Sequence, residues 1–248
     1  MSQKKKIKGK KTIKKISNLL DNITSIFFIL IALFGFYSYG DRLYVYYNAQ
    51  DKSILKYKPK LLDNGNIDDS VKLENSVAWL TIDNTNIDYP VMQGTDNSEY
   101  LNKDPFGKFS LSGSLFLDSR NASDFSDEYS LIYGHHMEKD TMFGALDEFK
   151  KEKYLKDHKK GTLIVGDHVY NIEIFACITA SATDGIIFNP ETSDSDSVIT
   201  KIKTAKGAVI DNAVKTSGKN IIGLSTCQSS ASDDRTIVFG VRYSERYS

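Results

Sequence analysis

Between Asp21 and Asp41 the chain runs for 19 residues without a charge, and this stretch divides it into parts that must live in different solvents. A helix needs about 20 mostly apolar residues to cross the ~30 Å hydrocarbon core of a bilayer. The centre of the run, Ile26-Phe27-Phe28-Ile29-Leu30-Ile31-Ala32-Leu33-Phe34, is apolar throughout. Residues 1–21 carry eight lysines and one aspartate, a net of +7. Lysines on that side keep the N-terminus in the cytoplasm and send the remainder outside. Tyr37, Tyr39, Tyr44, Tyr46 and Tyr47 follow, as interfacial aromatic side chains do. A cleaved signal peptide is the alternative, but bulky Phe36, Tyr37 and Tyr39 stand where a small-residue cleavage site would fall. The organisation expected is a cytoplasmic segment at 1–21, a single transmembrane helix at 22–40, a juxtamembrane helical linker at 41–75 and an extracellular domain at 76–248.

The 248-residue chain is neutral overall, so everything after residue 21 sums to −7. That balance argues against a basic nucleic-acid face on the body of the protein. Four histidines without paired cysteine or histidine spacing give no metal site. From Ala78 onward, short apolar runs alternate with turn residues, at 78–82, 87–91, 114–118, 129–133, 162–165, 168–178, 220–224 and 235–243. Such spacing predicts a mostly β, mostly antiparallel fold, a barrel or a sandwich. Two stretches carry helical spacing instead. Phe143, Leu146, Phe149 and Tyr154 mark a helix over 142–155. Val198, Ile202, Ala205, Val209, Ile210 and Val214 mark one over 194–214, which Gly207 divides into two shorter helices if it breaks there.

Chemistry concentrates near the C-terminus. Leu224-Ser225-Thr226-Cys227 ends a strand-like run and precedes the polar stretch 228–234, with Arg235 opening the last strand. A thiol at the rim of a sheet is exposed enough to react, and neighbouring cations or histidine set its thiolate fraction. Upstream, Tyr133-Gly134-His135-His136-Met137 ends another strand with two histidines, of which one can face Cys227. Cysteine, imidazole and guanidinium are the groups that thiol acyl transfer uses: a nucleophile, a proton carrier and a holder of negative charge. The other cysteine, Cys177, lies in an alternating strand pattern over 172–178 and is expected to be a small buried hydrophobe. A Cys177–Cys227 disulfide would silence the nucleophile.

These motifs together resemble the sortase family, class B in particular. Leu224-Ser225-Thr226-Cys227 with Arg235 is similar to the family's Thr-Leu-X-Thr-Cys motif and its arginine, except that Gly223 stands where threonine is usual. Tyr133-Gly134-His135-His136-Met137, Thr141-Met142-Phe143-Gly144, Trp79-Leu80-Thr81-Ile82, Asn86-Ile87-Asp88-Tyr89-Pro90-Val91 and Gly113-Ser114-Leu115-Phe116-Leu117-Asp118 look like class B segments, over about 76–243. The resemblance implies a closed eight-stranded β-barrel with N-terminal helices and a helix before the cysteine strand, a feature that 194–214 fits. It implies a membrane-anchored cysteine transpeptidase without cofactor, with Cys227 as nucleophile, His135 as general acid/base and Arg235 holding substrate or developing oxyanion. His135 is chosen over His136 because the family's histidine directly follows the glycine.

The implied partners are secreted proteins with an Asn-Pro-X-Thr-type sorting signal near the C-terminus, cleaved after threonine, and an amine of peptidoglycan or its precursor. Tyr133, Ser225, Thr226 and Ile187, the last within an apolar Ile186-Ile187-Phe188 wall, are the candidates to contact the signal. Alternatives are a membrane-tethered cysteine peptidase, a pilin-polymerising sortase, and a surface adhesin whose cysteine is inert.

Overall fold

The structure, a computed structural model, describes residues 2–49, 52–62, 67–68, 73–137, 140–226 and 233–244. It divides into two compact units, Met1–Tyr47 and Asn48–Ser248. The first is helix α1 (Ser2–Ala49), which continues two residues past it. Within α1, Lys14–Tyr44 is long and apolar enough to cross a membrane, and its 31 residues would extend about 46 Å as a helix. Phe28 and Phe34, like the other large apolar side chains of this stretch, lie exposed.

The second unit begins with a 3-10 turn at Lys52–Tyr57 and a two-stranded antiparallel ribbon, β1 (Lys60–Leu61) and β2 (Ile67–Asp68). Among the described residues of the segment 41–75, the end of α1 and the 3-10 turn are helical. The barrel is built from β3 (Ser76–Ile82), β4 (Asp88–Met92), β5 (Leu115–Leu117), β6 (Tyr129–Gly134), β7 (Lys160–Val165), β8 (His168–Ser181), β10 (Asn220–Thr226) and β11 (Asp234–Ser244). Their order is β11-β10-β6-β5-β4-β3-β7-β8, and a long antiparallel pairing of β11 with β8 closes the ring at eight strands. Two junctions, β4–β5 and β6–β10, are parallel and the rest antiparallel.

Side chains alternate across each strand, and this separates two cores. Leu80, Val91, Leu115, Ile132, Leu163, Ile174, Leu224 and Val238 belong to one cluster. Since it draws on all eight ring strands, it fills the barrel. Leu131, Phe175, Ile221, Ile237 and Phe239 point the other way and pack beneath α3 (Ser195–Thr204), which contributes Val198, Ile199 and Ile202. β6 and most of β10 are buried on both faces for this reason.

The two predicted helices are shorter than their apolar spacing suggested. Residues 142–155 form a 3-10 turn, Gly144–Lys150, and then α2 (Glu152–Asp157), parted at Lys151, whose backbone is extended. Over 194–214 only α3 is helical: the Asp194 carboxylate accepts from Ser197 N at its start, and Ala205 is extended at its end. Gly207 takes a φ of +74°, a region open to glycine. No second helix follows. Val209 and Ile210 instead form β9 (Val209–Ile210), pairing with Cys177 and Ala176 on the edge of β8 that β7 leaves open.

Candidate active site

Parallel pairing of β6 with β10 brings the C-terminal ends of both strands to one rim of the barrel, where Gly134 stands opposite Thr226. β11 starts at the same rim, because it runs antiparallel to β10, with Ser225 opposite Ile237. His135, immediately after β6, and Arg235, second residue of β11, are thus neighbours in space although 100 residues separate them in sequence. Both line a cleft of about 380 Å³, together with Tyr133, Phe188, Leu101 and Asn97. Cys227, the residue that follows Thr226, lies outside the described residues.

The His135 ring is held by its Nε2, 2.7 Å from the carbonyl oxygen of Leu101. A carbonyl only accepts, so Nε2 carries the proton and Nδ1 is the nitrogen left to exchange one. Gly113 makes the approach of that carbonyl possible. It takes a φ of +58°, and a Cβ there would stand 2.5 Å from the Leu101 oxygen and 3.0 Å from His135 Cδ2. His136 is engaged elsewhere: its Nε2 lies 2.8 Å from Asp147 Oδ2, and Asp147 also accepts from Thr236 Oγ1. The second histidine thereby ties the segment after β6 to the 3-10 turn, which Thr236 joins to the start of β11, and it does not line the cleft.

Arg235 sits against two aromatic faces. Its Cζ lies 5.2 Å from the Phe188 ring centroid and 6.0 Å from that of Tyr133, cation–π distances in both cases. Its Nε is buried and, among the described residues, without a hydrogen-bond partner. A guanidinium held by ring faces keeps donors for something that enters the cleft.

The remaining sequence candidates occupy different positions. Tyr133 lines the cleft with its ring, while burial and the nearby Asp118 carboxylate push its phenol pKa upward. Ser225 and Thr226 are buried at the end of β10. Ser225 Oγ donates to the Thr226 carbonyl, and Thr226 Oγ1 accepts from Thr236 N, which secures the β10–β11 pairing at the rim. Ile187 turns inward: fully buried, it packs in the core beneath α3, and its carbonyl accepts from Tyr129 Oη. The apolar wall expected from 186–188 is formed at the cleft by Phe188. Asn97 and Leu101 went unnoticed in the sequence because no motif marks them. They reach the cleft through the connection between β4 and β5.

Cys177 is a free thiol, 1% exposed, in the barrel core. Burial pushes its pKa up to about 12, so the thiolate is scarce there at pH 7. Gly223, the departure from the usual motif, has a local cause. A Cβ would lie 2.8 Å from Tyr129 Oη and 3.0 Å from Leu131 Cδ1. The tyrosine fills the space that a side chain at 223 would take.

The sortase-domain family profile matches residues 80–243. Sortase B of Listeria monocytogenes is 32% identical over 230 residues, which cover 86% of this chain and 92% of that protein. The crystal structure of a class B sortase from Streptococcus pyogenes involved in pilus biogenesis is 40% identical and superposes with a TM-score of 0.62, covering 68% of this chain and 92% of that one. The Staphylococcus aureus sortase B–substrate complex gives 27% identity and the same TM-score, over 69% and 81% of the two chains. A closed eight-stranded barrel, a histidine and an arginine at one rim and this agreement over most of the chain place it in the sortase family of cysteine transpeptidases, among relatives of class B.

Proposed function

We propose that this chain is anchored in the cell membrane by α1 and cleaves an Asn-Pro-X-Thr-type sorting signal after threonine, passing the protein to a peptidoglycan amine. Cys227 is the nucleophile, His135 the acid/base and Arg235 the group that steadies substrate and oxyanion. The observation that carries this reading is the meeting of His135 and Arg235 in one cleft, at the rim where β10 ends. Cys227 is bonded to Thr226, the residue opposite Gly134. Burial of Cys177 leaves no other thiol for the role.

The steps follow from ordinary acyl-transfer chemistry. The Cys227 thiolate adds to the threonine carbonyl, and the oxyanion that forms is steadied by the Arg235 guanidinium. Collapse expels the following residue as an amine, which takes a proton from His135 Nδ1–H and leaves a thioester. An incoming amine then attacks the thioester and gives its proton back to Nδ1, and the thiolate is released. The Nε2 contact with Leu101 O supports the assignment of Nδ1 to the moving proton. Tyr133 and Phe188 offer the signal an apolar surface, and Ser225 and Thr226 shape the cleft by holding the end of β10. The length of the apolar segment in α1 supports anchorage, with the barrel outside the cell where secreted substrate and wall precursor meet.

A second reading concerns the amine alone. The S. pyogenes relative is involved in pilus biogenesis, and in a pilus enzyme a lysine of another subunit would resolve the thioester. The test offers the full chain a quenched-fluorescent Asn-Pro-X-Thr-Gly peptide with a peptidoglycan-stem amine, a lysine-containing peptide or no acceptor. Products are read by mass spectrometry beside Cys227→Ala. An adduct to the stem amine supports wall anchoring, and one confined to lysine supports the pilus reading. Cleavage that no amine diverts would contradict both and favour a peptidase.

A further inference from the structure

Behind the cleft lies an ion pair, a buried carboxylate with a partly exposed guanidinium, that the reaction steps above do not use. Asp118, just past β5, is fully buried. Its Oδ1 accepts from Arg120 N and Nε, and its Oδ2 accepts from Arg120 Nη2, from Asn97 Nδ2 and from Tyr133 Oη at 3.0 Å. The same guanidinium reaches across to the connection between β8 and α3. Nη2 donates to the Phe188 carbonyl at 2.8 Å and Nη1 to Asn189 Oδ1 at 3.0 Å. One planar fork therefore spans the barrel wall and the connection that faces it, and its geometry is rigid.

Three cleft residues hang on this pair: Asn97 and Tyr133 through the Asp118 carboxylate, and Phe188 through its main chain. The Tyr133 and Phe188 rings lie nearly parallel, at 14°, with centroids 6.5 Å apart. These are the two faces against which Arg235 rests. Because Arg235 Nε has no hydrogen-bond partner among the described residues, the rings set the guanidinium's position, and whatever sets the rings sets Arg235. With its guanidinium partly exposed, the pair contributes little net stability, and fixing one geometry is a use that such pairs can serve.

We infer that Asp118 and Arg120 are positioning residues, which lock Tyr133 and Phe188 at the spacing that aims the Arg235 guanidinium into the cleft. The inference rests on the reading of Arg235 as the group that steadies substrate and oxyanion. Small displacements of such a group cost rate more than affinity, because its contacts tighten in the transition state.

The test is a double-mutant cycle on peptide cleavage by the full chain in detergent, with kcat and KM determined separately. Arg120→Gln is expected to lower kcat by about tenfold to a hundredfold while KM moves by less than about threefold. Arg120→Lys keeps a cation beside Asp118 but lacks the fork, and should fall between Arg120→Gln and the parent. In an Arg235→Lys background, Arg120→Gln should cost less than about a further twofold, because the group it aims has already changed. If Arg120→Gln does not fold, Tyr133→Phe carries the same comparison, since it keeps the ring and removes only the hydroxyl bonded to Asp118. Equal fold-losses in both backgrounds would overturn the inference, as independent or merely structural roles add. Full activity of Arg235→Lys and Arg235→Ala alone would overturn the reading of Arg235 itself, and the positioning role with it.

Discussion

Gly223 is where the chain departs from its family's usual motif, and its surroundings predict what restoring threonine would do. A Cβ at 223 falls 2.8 Å from Tyr129 Oη, 3.2 Å from Tyr129 Cε2 and 3.0 Å from Leu131 Cδ1. Tyr129 is fully buried and its hydroxyl donates to the Ile187 carbonyl at 3.0 Å, so the ring cannot swing aside cheaply. Overpacking of this kind costs roughly 1–3 kcal/mol. Displacing the Tyr129 hydroxyl from Ile187 O adds about 1–2 kcal/mol for a buried acceptor left unpaired. Against this, replacing glycine in a strand returns about 1 kcal/mol of conformational and β-propensity preference. Gly223→Thr should therefore lose about 1–4 kcal/mol, a fall in Tm of roughly 3–12 °C for a domain near 200 residues. Denaturant unfolding followed by the fluorescence of Trp79, the single and buried tryptophan, reads the loss. Gly223→Thr combined with Tyr129→Phe should lose less than the sum of the two single changes, because the hydroxyl that clashes is gone. A Gly223→Thr protein within about 0.5 kcal/mol of the parent would refute the steric account.

Other consequences are quicker to check. Iodoacetamide applied to the native protein should label Cys227 and spare Cys177, whose thiol is buried with its pKa pushed up to about 12. Equal labelling before unfolding would contradict that packing. Cys177→Ala should retain turnover at a stability cost of about 1–2 kcal/mol for the small cavity left. His136→Ala should keep most activity while His135→Ala loses it, since His136 bonds to Asp147 and does not line the cleft; the reverse ranking in the peptide assay would exchange their roles. Burial would raise the Asp118 pKa, but hydrogen bonds and charge from Arg120 outweigh it and hold the carboxyl below its ordinary range. A depressed folded pKa means that the group's stabilisation is present above about pH 4 and fades as pH falls through the lower folded value. Asp118→Asn should accordingly flatten the acid limb of the stability–pH curve below pH 4, and an unchanged limb would contradict the pairing.

The barrel strands were legible because each is short, apolar and bounded by turn residues. What the chain did not announce was how they pair. Nothing in 129–134 or 220–226 reveals that these strands run parallel, yet that pairing is what puts His135 at the rim where β10 ends. The helical reading of 194–214 failed after Thr204 for a related reason. Val209 and Ile210 fit a helical stripe as well as a strand, and the open edge of β8 decided between them. In the cleft, residues that carry reactive groups within a motif could be named in advance. Phe188 was obscured by its neighbour, because an Ile-Ile-Phe run does not disclose which side chain turns inward. Asp118 closes the run 114–118 and no motif marks Arg120, whose network depends on a partner, Asn189, 69 residues away.

The proposed function rests on a thioester between Cys227 and the sorting signal, assisted by His135 just past β6 and Arg235 on β11. The most direct measurement is intact-mass spectrometry of the full chain mixed with an Asn-Pro-X-Thr-Gly peptide and quenched at low pH, followed by peptide mapping. An acyl adduct is expected on Cys227 that disappears when an amine is added, accumulates more slowly in His135→Ala and Arg235→Ala, and is absent from Cys227→Ala. Turnover of the peptide that persists in Cys227→Ala, or an adduct that maps to Cys177, would contradict it.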